Sequence, residues 1–457
     1  MEKINQKLSC FVFGNVCMIV PLFMAGLLLL FSSTPVCAAV TVISDEETEL
    51  YLQNLSEPIF NAAAIPFNRH KVFILENNSL NAFVSDGNNL FIHSETLLKI
   101  NTDDELRGIL AHEVGHIQGG HLLRHKLKMQ EMKNITLASM AAAMALGMAS
   151  GRGDVAIATA LGAQSSLLNQ SFVYQIQEER NADESAVSLL NKTGHSPQGL
   201  LNFMKKIQLQ NKLQGIQETP YYRTHPMSAE RLAFLRQAVQ NSVFTAQKQK
   251  SETLKRIQAK LYAFIKSPQQ TYLKYPTSDT SISALYARTI ATFKSLQFKK
   301  ALSSVDLLIK QEPKNPYFHE LKGQILFESG NIEGALQQFK LASNILPSSA
   351  LFKMNEAQAL LELSPSPKEL RSIITKLRQA LASKPNTIGW LLLAKAHHLS
   401  HNEAEAKYAS AYYNLQTGDL KLAEKQAQEA KQLSKKSQLN LKIDDLLQTI
   451  KIMQKSF

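Results

Sequence analysis

Two histidines flank a glutamate in the pattern of this chain that is best suited to metal chemistry. Residues 112–116 read His-Glu-Val-Gly-His. Because residues four apart lie on one face of a helix, His112 and His116 can offer two imidazole nitrogens to one metal ion. Imidazole suits zinc, and a carboxylate beside the bound metal, here Glu113, can act as the general base of a peptidase. The motif therefore predicts a zinc-dependent metallopeptidase.

Two carboxylates on a later helical stretch, residues 174–190, could complete this site. Two histidine ligands need a third protein ligand, and a glutamate from a later helix can supply it, so Glu179 is the candidate. Asp183 lies one turn further on the same face and could accept the second N–H of a ligating histidine. Paired carboxylates on a helix are commonly solvated, so this prediction depends on the motif upstream.

Two further histidines allow more than one interpretation. His121 is nine residues from His112, half a turn out of phase on a straight helix, which favours a surface or supporting histidine over a third ligand. Metzincins would carry their third histidine at the next position, which holds Leu122, so that subclass is excluded. From the residues alone, His225 before Pro226 is a capping or structural histidine.

The motif helix is expected to follow a small sheet. Thr102 begins this helix with a capping box, and apolar residues at helical spacing give it a buried side. Upstream, residues 45–62 predict a helix, 71–75 a strand, and 81–84 with 90–93 a β-hairpin. We expect an α+β zincin-type metalloprotease domain, mostly helical with a small antiparallel sheet. An edge strand of that sheet could hold an extended peptide by main-chain hydrogen bonds.

Several of these segments together resemble one group of metallopeptidases. The chain is similar to the HtpX-like and Ste-type gluzincins, and most of all to their soluble periplasmic branch, the BepA-type proteases. The resemblance covers roughly residues 45–265. It is carried by Asn81-Ala82-Phe83, by residues 112–116 with Gly119-Gly120-His121, by Glu179 with Ala182-Asp183, and by Thr224-His225-Pro226 with Arg231.

The resemblance implies a zinc site with one ion per chain. The ligands would be His112, His116 and Glu179, and Glu113 would be the base. The strand that carries Asn81-Ala82-Phe83 would bind the substrate.

The fourth position of the zinc is left open by the resemblance. In the BepA-type branch the histidine of the Thr-His-Pro motif can be a displaceable ligand that masks the zinc, and His225 matches that position. At rest the fourth ligand is therefore water or His225. We expect the oxyanion of the reaction to be held by zinc together with His225 or Arg231.

The N-terminus predicts an exported protein. Residues 1–39 read as a signal peptide: Lys3 and Lys7 precede an apolar run over residues 10–31, and small residues end with Ala39, after which cleavage is expected. The mature protein would then be periplasmic. The alternative is an uncleaved leader that anchors the chain in the inner membrane, because the run is long enough to span a bilayer.

Composition excludes some classes of function. The chain has 457 residues and a formal net charge of +12. Its Lys and Arg are scattered, so we expect a solvated surface and no nucleic-acid partner, with attraction to an anionic membrane as the weaker alternative. All three cysteines, Cys10, Cys17 and Cys37, lie in the leader. The mature chain would thus have neither a disulfide nor a catalytic cysteine.

The C-terminal half contains a repeat. Ala301 and Ala335 are 34 residues apart, and so are Pro313 and Pro347, which is the period of tetratricopeptide (TPR) repeats. Residues 280–450 therefore predict an all-α TPR-type solenoid of three to four repeats. The concave surface of such a solenoid could bind a partner or a substrate.

One further segment, residues 135–168, is rich in Ala, Met, Gly and Leu. Two interpretations stay open. It could be an apolar helical loop over the active site that makes peripheral contact with a membrane, or a buried helical hairpin.

These features divide the chain into a signal peptide at residues 1–39, a zinc metalloprotease domain at 40–266, a linker at 267–281 and a TPR-like domain at 282–457. By resemblance, we expect an exported metalloendopeptidase that cleaves misfolded or misassembled cell-envelope proteins. Its repeats would bind protein substrates or the outer-membrane assembly machinery. The alternative is a chaperone or a scaffold-type TPR binding protein whose zinc site is masked or little used.

Overall fold

The computed structural model describes residues 41–455 with gaps at 68–71, 86–87, 125–126, 129, 133, 137–174, 215–220 and 222–223. The predicted signal peptide and nearly all of the segment 135–168 lie outside these described residues. Within the described part of the chain, no helix combines the length and apolar character needed to cross a membrane.

The N-terminal part contains one four-stranded sheet. Its strands are β1 (Val42–Ile43), β2 (Val72–Leu75), β3 (Ala82–Ser85) and β4 (Asn89–His93). They lie in the order β1-β2-β4-β3, and β3 pairs with β4 in the predicted hairpin.

The sheet was predicted to be antiparallel, but it is mixed, because β2 and β4 run parallel. The strand β4 carries Leu90 and Ile92, both fully buried, and it occupies a central position with neighbours on both sides. The strand β3, which ends at Ser85, lies at the edge.

Helices pack around this sheet in the remainder of the protease part. Their bounds are Glu46–Ala62 (α1), Ser94–Lys99 (α2), Asp103–Gln118 (α3), the described helical residues 175–192, Gln198–Gln214, Ala229–Gln240 and Glu252–Ile265. The motif helix α3 begins at the predicted cap, where the side chain of Thr102 accepts a hydrogen bond from the main-chain N–H of Glu105. It is buried along most of its length.

Close contact between α3 and helix Gln198–Gln214 depends on glycine. A Cβ on Gly108 would lie 2.5 Å from the main-chain nitrogen of Leu200, and a Cβ on Gly199 would overlap the carbonyl of Asp104. The two helices therefore touch backbone to backbone, which fixes the depth at which α3 lies in the core.

The C-terminal half is a stack of five antiparallel helix pairs, and this confirms the predicted TPR-type solenoid. The pairs are Ile282–Lys294 with Phe298–Gln311, Pro316–Glu328 with Ile332–Ile345, Ala350–Glu362 with Pro367–Ser383, Thr387–Leu399 with Glu403–Thr417, and Leu420–Leu433 with Ser437–Lys455. The first three pairs begin 34 residues apart. The sequence indicated only three to four repeats because the later pairs depart from this spacing.

The protease part and the first repeats share one core. A continuous hydrophobic cluster extends from Ile43 to Ile325. At this junction the buried ammonium of Lys260 lies 2.5 Å from Asp45 and 3.8 Å from Glu320. A helix, Pro268–Lys274, lies within the segment predicted as a linker. The domain boundaries themselves stay a prediction.

Candidate metal centre

Four buried side chains converge at one place in the protease part. One potential ligand atom from each of His112, His116, Glu179 and His225 lies within 4.8 Å of all the others. The Nε2 atoms of His112 and His116 are 3.2 Å apart. The Glu179 carboxylate is 3.3 Å from His116 Nε2 and 2.9 Å from His225 Nδ1. The structure thus brings together all four residues that the sequence proposed as ligands.

A glycine inside the motif places Glu179. A Cβ on Gly115 would lie 2.8 Å from the carbonyl oxygen of Ala182, so helix 175–192 can cross α3 at backbone contact only because this position is glycine. Glu179 and Asp183 flank Ala182 at helical spacing and face α3 from this crossing. The glycine within the first motif therefore determines how closely the helix that carries Glu179 and Asp183 approaches α3.

A second layer of polar contacts supports the ligands. Asp183 lies 2.9 Å from Nδ1 of His112, which leaves Nε2 of His112 directed at the other ligand atoms. The guanidinium of Arg231 donates to Asp183 at 2.6 Å and lies 2.9 Å from Glu179. Arg231 is 2% exposed, so its positive charge offsets the negative charges of two buried carboxylates and does not face solvent.

Burial and the neighbouring charges shift the pKa values of these groups in different directions. Burial raises the pKa of Glu179, but the charges of His225, His116 and Arg231 outweigh it and hold that pKa well below its usual value. Burial lowers the pKa of His116 to about 3. Burial also lowers the pKa of His112, but hydrogen bonds to Asp183 and Glu179 raise it to about 10.

Glu113 behaves differently from the other carboxylates. Burial raises its pKa, and the charges of His225 and His112 offset only part of this effect. Its carboxylate lies 3.6 Å from Nε2 of His225. A buried carboxyl with a raised pKa next to the ligand group is better suited than an exposed glutamate to accept and return a proton.

The edge strand β3 passes beside Glu113. The main-chain N–H of His93 donates to the carbonyl of Asn81. Because hydrogen-bonded and non-bonded pairs alternate in a hairpin, the main-chain groups of Ala82 and Val84 point away from β4. The backbone of Val84 reaches the Glu113 carboxyl and acts on its pKa. Among the described residues, no strand pairs with this side of β3.

The three residues proposed from sequence for substrate binding have unequal positions. Asn81 is bound through its main chain to the side chain of Thr96. Ala82 is fully buried, and Phe83 stacks on Phe91 on the other face of the sheet. Of the three, Ala82 has its main-chain groups at the free edge. Sequence reasoning missed Val84, which the alternation of the hairpin could have indicated.

Two contacts of these histidines, one with Tyr221 and one with His121, were not predicted from the sequence. The ring of Tyr221 stacks on His225 with centroids 4.5 Å apart, and Tyr221 is fully buried. His121 lies with its Nδ1 2.8 Å from Nδ1 of His116. It is buried, which excludes the surface position among the alternatives that its spacing left open.

The donor set fits a zinc ion. Three imidazoles and a carboxylate are ordinary zinc ligands. Nε2 of His112 lies 3.2 Å from Nε2 of His116 and 3.4 Å from Nδ1 of His225, so the three ring nitrogens face one another across a buried site. A cation between converging nitrogen lone pairs would satisfy all of them at once.

All four of these residues lie in a stretch that is similar to known peptidases. Residues 46–239 match Peptidase family M48. The chain is 24% identical to the Beta-barrel assembly-enhancing protease of Escherichia coli (strain K12), over 81% of this chain and 76% of that protein. It is 31% identical to Metalloprotease YcaL of the same organism, over 31% of this chain and 52% of that protein. A tetratricopeptide repeat protein from Parabacteroides merdae aligns in structure with a TM-score of 0.28 and 12% identity, over 62% of this chain and 99% of that chain.

Proposed function

We propose that this metalloprotease, whose residues 46–239 match Peptidase family M48, is an exported zinc endopeptidase of the cell envelope. It would cleave misfolded or misassembled envelope proteins, and its repeat domain would bind those substrates or the outer-membrane assembly machinery. The observation that carries the proposal is the buried group of three imidazoles and Glu179 beside Glu113. Similarity over most of the chain to a protease named for β-barrel assembly supports the substrate class.

The ligands in this proposal are His112, His116 and Glu179, and the fourth position would hold water during catalysis and either water or His225 at rest. When bound, zinc supplies Lewis-acid chemistry: it polarises a carbonyl oxygen and makes water nucleophilic near neutral pH. The protein holds the ligands rigidly, because Asp183 orients His112 and Arg231 carries the charge of the buried carboxylates.

Glu113 would move the proton in the reaction. Its carboxylate takes a proton from the attacking water and passes it to the leaving amine. Its raised pKa brings the two protonation states closer in energy than those of an exposed glutamate, which suits a group that must act first as base and then as acid.

The substrate would add to the sheet at β3. An extended peptide could bind by strand addition to the main-chain groups of Ala82 and Val84 that point away from β4. Its scissile carbonyl would then lie next to Glu113, whose carboxyl the Val84 backbone already reaches. The donors of Arg231 are directed at Glu179 and Asp183, so we assign Arg231 to positioning. The oxyanion role suggested from sequence then rests on the metal and on His225.

The position of His225 favours a masked resting state as the second candidate. Its Nδ1 lies 2.9 Å from the Glu179 carboxylate and 3.4 Å from Nε2 of His112. In this arrangement His225 occupies a ligand position that catalysis needs for water. The protein would then act first as a binding protein or chaperone and would cleave only after His225 moves away.

Casein cleavage by the full chain tests the proposal. We expect activity that a zinc chelator abolishes and that zinc restores, and no activity for Glu113→Gln. His225→Ala should raise activity if the masked state is the resting one. Equal cleavage by Glu113→Gln and wild type, or a wild type that binds no zinc, would refute the mechanism.

Export is tested separately. N-terminal sequencing of the protein recovered from the periplasm should give Val40 as the first residue. A start at Met1, with the protein in the inner-membrane fraction, would favour the anchored alternative.

A further inference from the structure

We propose that His121 is a positioning residue for the metal site: it accepts a hydrogen bond from His116 and fixes the ring and the tautomer of that ligand. The inference rests on the proposed function, because it supposes that His116 binds zinc. The two Nδ1 atoms are 2.8 Å apart, and the ring planes are inclined at 79°. Both side chains are buried.

The direction of this hydrogen bond follows from the ligand geometry. Nε2 of His116 faces the other ligands, at 3.2 Å from His112 and 3.3 Å from Glu179. A neutral imidazole that offers the lone pair of Nε2 to a metal carries its proton on Nδ1. His116 is therefore the donor, Nδ1 of His121 is the acceptor, and His121 carries its own proton on Nε2.

Two glycines bring His121 to this place. The helix α3 ends at Gln118, and Gly120 has a φ of +64°, a left-handed conformation that glycine adopts without strain. The chain turns there, so His121 returns toward His116 instead of following the helix. The half-turn mismatch calculated for a straight helix does not apply beyond this point.

Gly119 makes room for the ring. Its φ of −70° is open to any residue, so the requirement for glycine at this position is spatial. A Cβ on Gly119 would overlap the imidazole of His121, with Cδ2 at 2.7 Å. The ring is thus held between the backbone of Gly119 on one side and His116 on the other.

The two motif histidines are supported by different chemistry. His112 has a carboxylate, Asp183, behind it, whereas His116 has a neutral imidazole. A neutral acceptor orients the ring without adding charge to a site that already contains two carboxylates. Loss of such a partner typically weakens metal affinity 10- to 100-fold.

Zinc affinity of the full-length chain, measured by competition with a chromophoric chelator, tests this assignment. We expect His121→Phe to bind zinc about 10- to 100-fold more weakly than wild type. His121→Asn should stay within about 3-fold, because its Oδ1 can accept at the position of Nδ1. The control His398→Phe changes a histidine whose side chain is 71% exposed and should leave the affinity unchanged.

Gly119→Ala provides a second, independent perturbation. It should weaken zinc binding as His121→Phe does, because the added Cβ displaces the ring. In a His121→Ala background it should have no further effect, so the two changes should not be additive.

Three results would separate the possible failures. A wild type without zinc affinity would refute the proposed function. If the wild type binds zinc, and His121→Phe and Gly119→Ala bind it as tightly as the wild type does, only the role of His121 is overturned. Equal losses in His121→Asn and His121→Phe would also overturn it, because an acceptor at this position would then not matter.

Discussion

Replacement of Arg231 by methionine should destabilise the protein more than any surface change of charge. The guanidinium lies 2.6 Å from Asp183 and 2.9 Å from Glu179, and all three side chains are at most 2% exposed. Methionine keeps much of the volume but leaves two buried carboxylates without their cation. Removal of one partner from such a buried group costs about 3–5 kcal/mol.

The expected shift follows from this cost. At about 2–4 °C per kcal/mol for a domain of this size, the thermal midpoint of the metal-free protein should fall by about 6–20 °C. The assay is thermal unfolding followed by circular dichroism in the presence of chelator. Arg180→Met is the matched control: Arg180 pairs with Glu184 on the same helix and is 57% exposed, so its loss should cost under about 1 kcal/mol.

A double variant tests the cause. In Arg231→Met with Asp183→Asn, one unpaired charge is removed, and part of the lost stability should return. The reasoning is refuted if Arg231→Met unfolds within about 2 °C of Arg180→Met, or if the double variant is less stable than the two single changes together would make it.

Three further predictions concern metal and stability. Gly115→Ala should weaken zinc binding at least 10-fold in chelator competition, because a Cβ 2.8 Å from the Ala182 carbonyl forces the Glu179 helix away from α3; unchanged affinity would contradict the crossing geometry. Burial raises the pKa of Asp45, but Lys260 lowers it overall to about 2, so this pair should stabilise the fold above pH 4 by about 2 kcal/mol and lose that contribution as the pH falls to 2. Lys260→Met should remove this part of the acid dependence of the unfolding midpoint. The same pH profile in the variant and the wild type would refute the stabilising role of the pair. Zinc at 100 times its dissociation constant should raise the free energy of unfolding by about 2.7 kcal/mol, and a midpoint that is independent of zinc would argue against binding to the native state.

Sequence reasoning succeeded where a local spacing determines the geometry. His112 and His116 face one site because they are one helical turn apart, and Glu179 and Asp183 share a face for the same reason. The 34-residue period likewise predicted the solenoid, since each repeat is one helix pair. These features require no knowledge of how distant segments meet.

The unpredicted features arise from contacts between distant segments or from single backbone angles. Nothing local indicated that Arg231 would donate to Asp183, nor that Tyr221 would stack on His225. The place of His121 depends on the left-handed turn at Gly120, which breaks the helical phase on which the sequence argument relied. The parallel pairing of β2 with β4 joins two segments that are not consecutive strands of a hairpin, so no local turn signal indicated it.

X-ray absorption at the zinc edge tests the central claim most directly. Purified full-length protein should contain one zinc per chain, bound by nitrogen and oxygen ligands with the scattering pattern of three imidazoles and no sulfur. In His225→Ala the pattern should fall to two imidazoles while the zinc is retained. A sulfur ligand, an unchanged imidazole pattern in His225→Ala, or the absence of zinc from the wild type would contradict the site formed by His112, His116, Glu179 and His225.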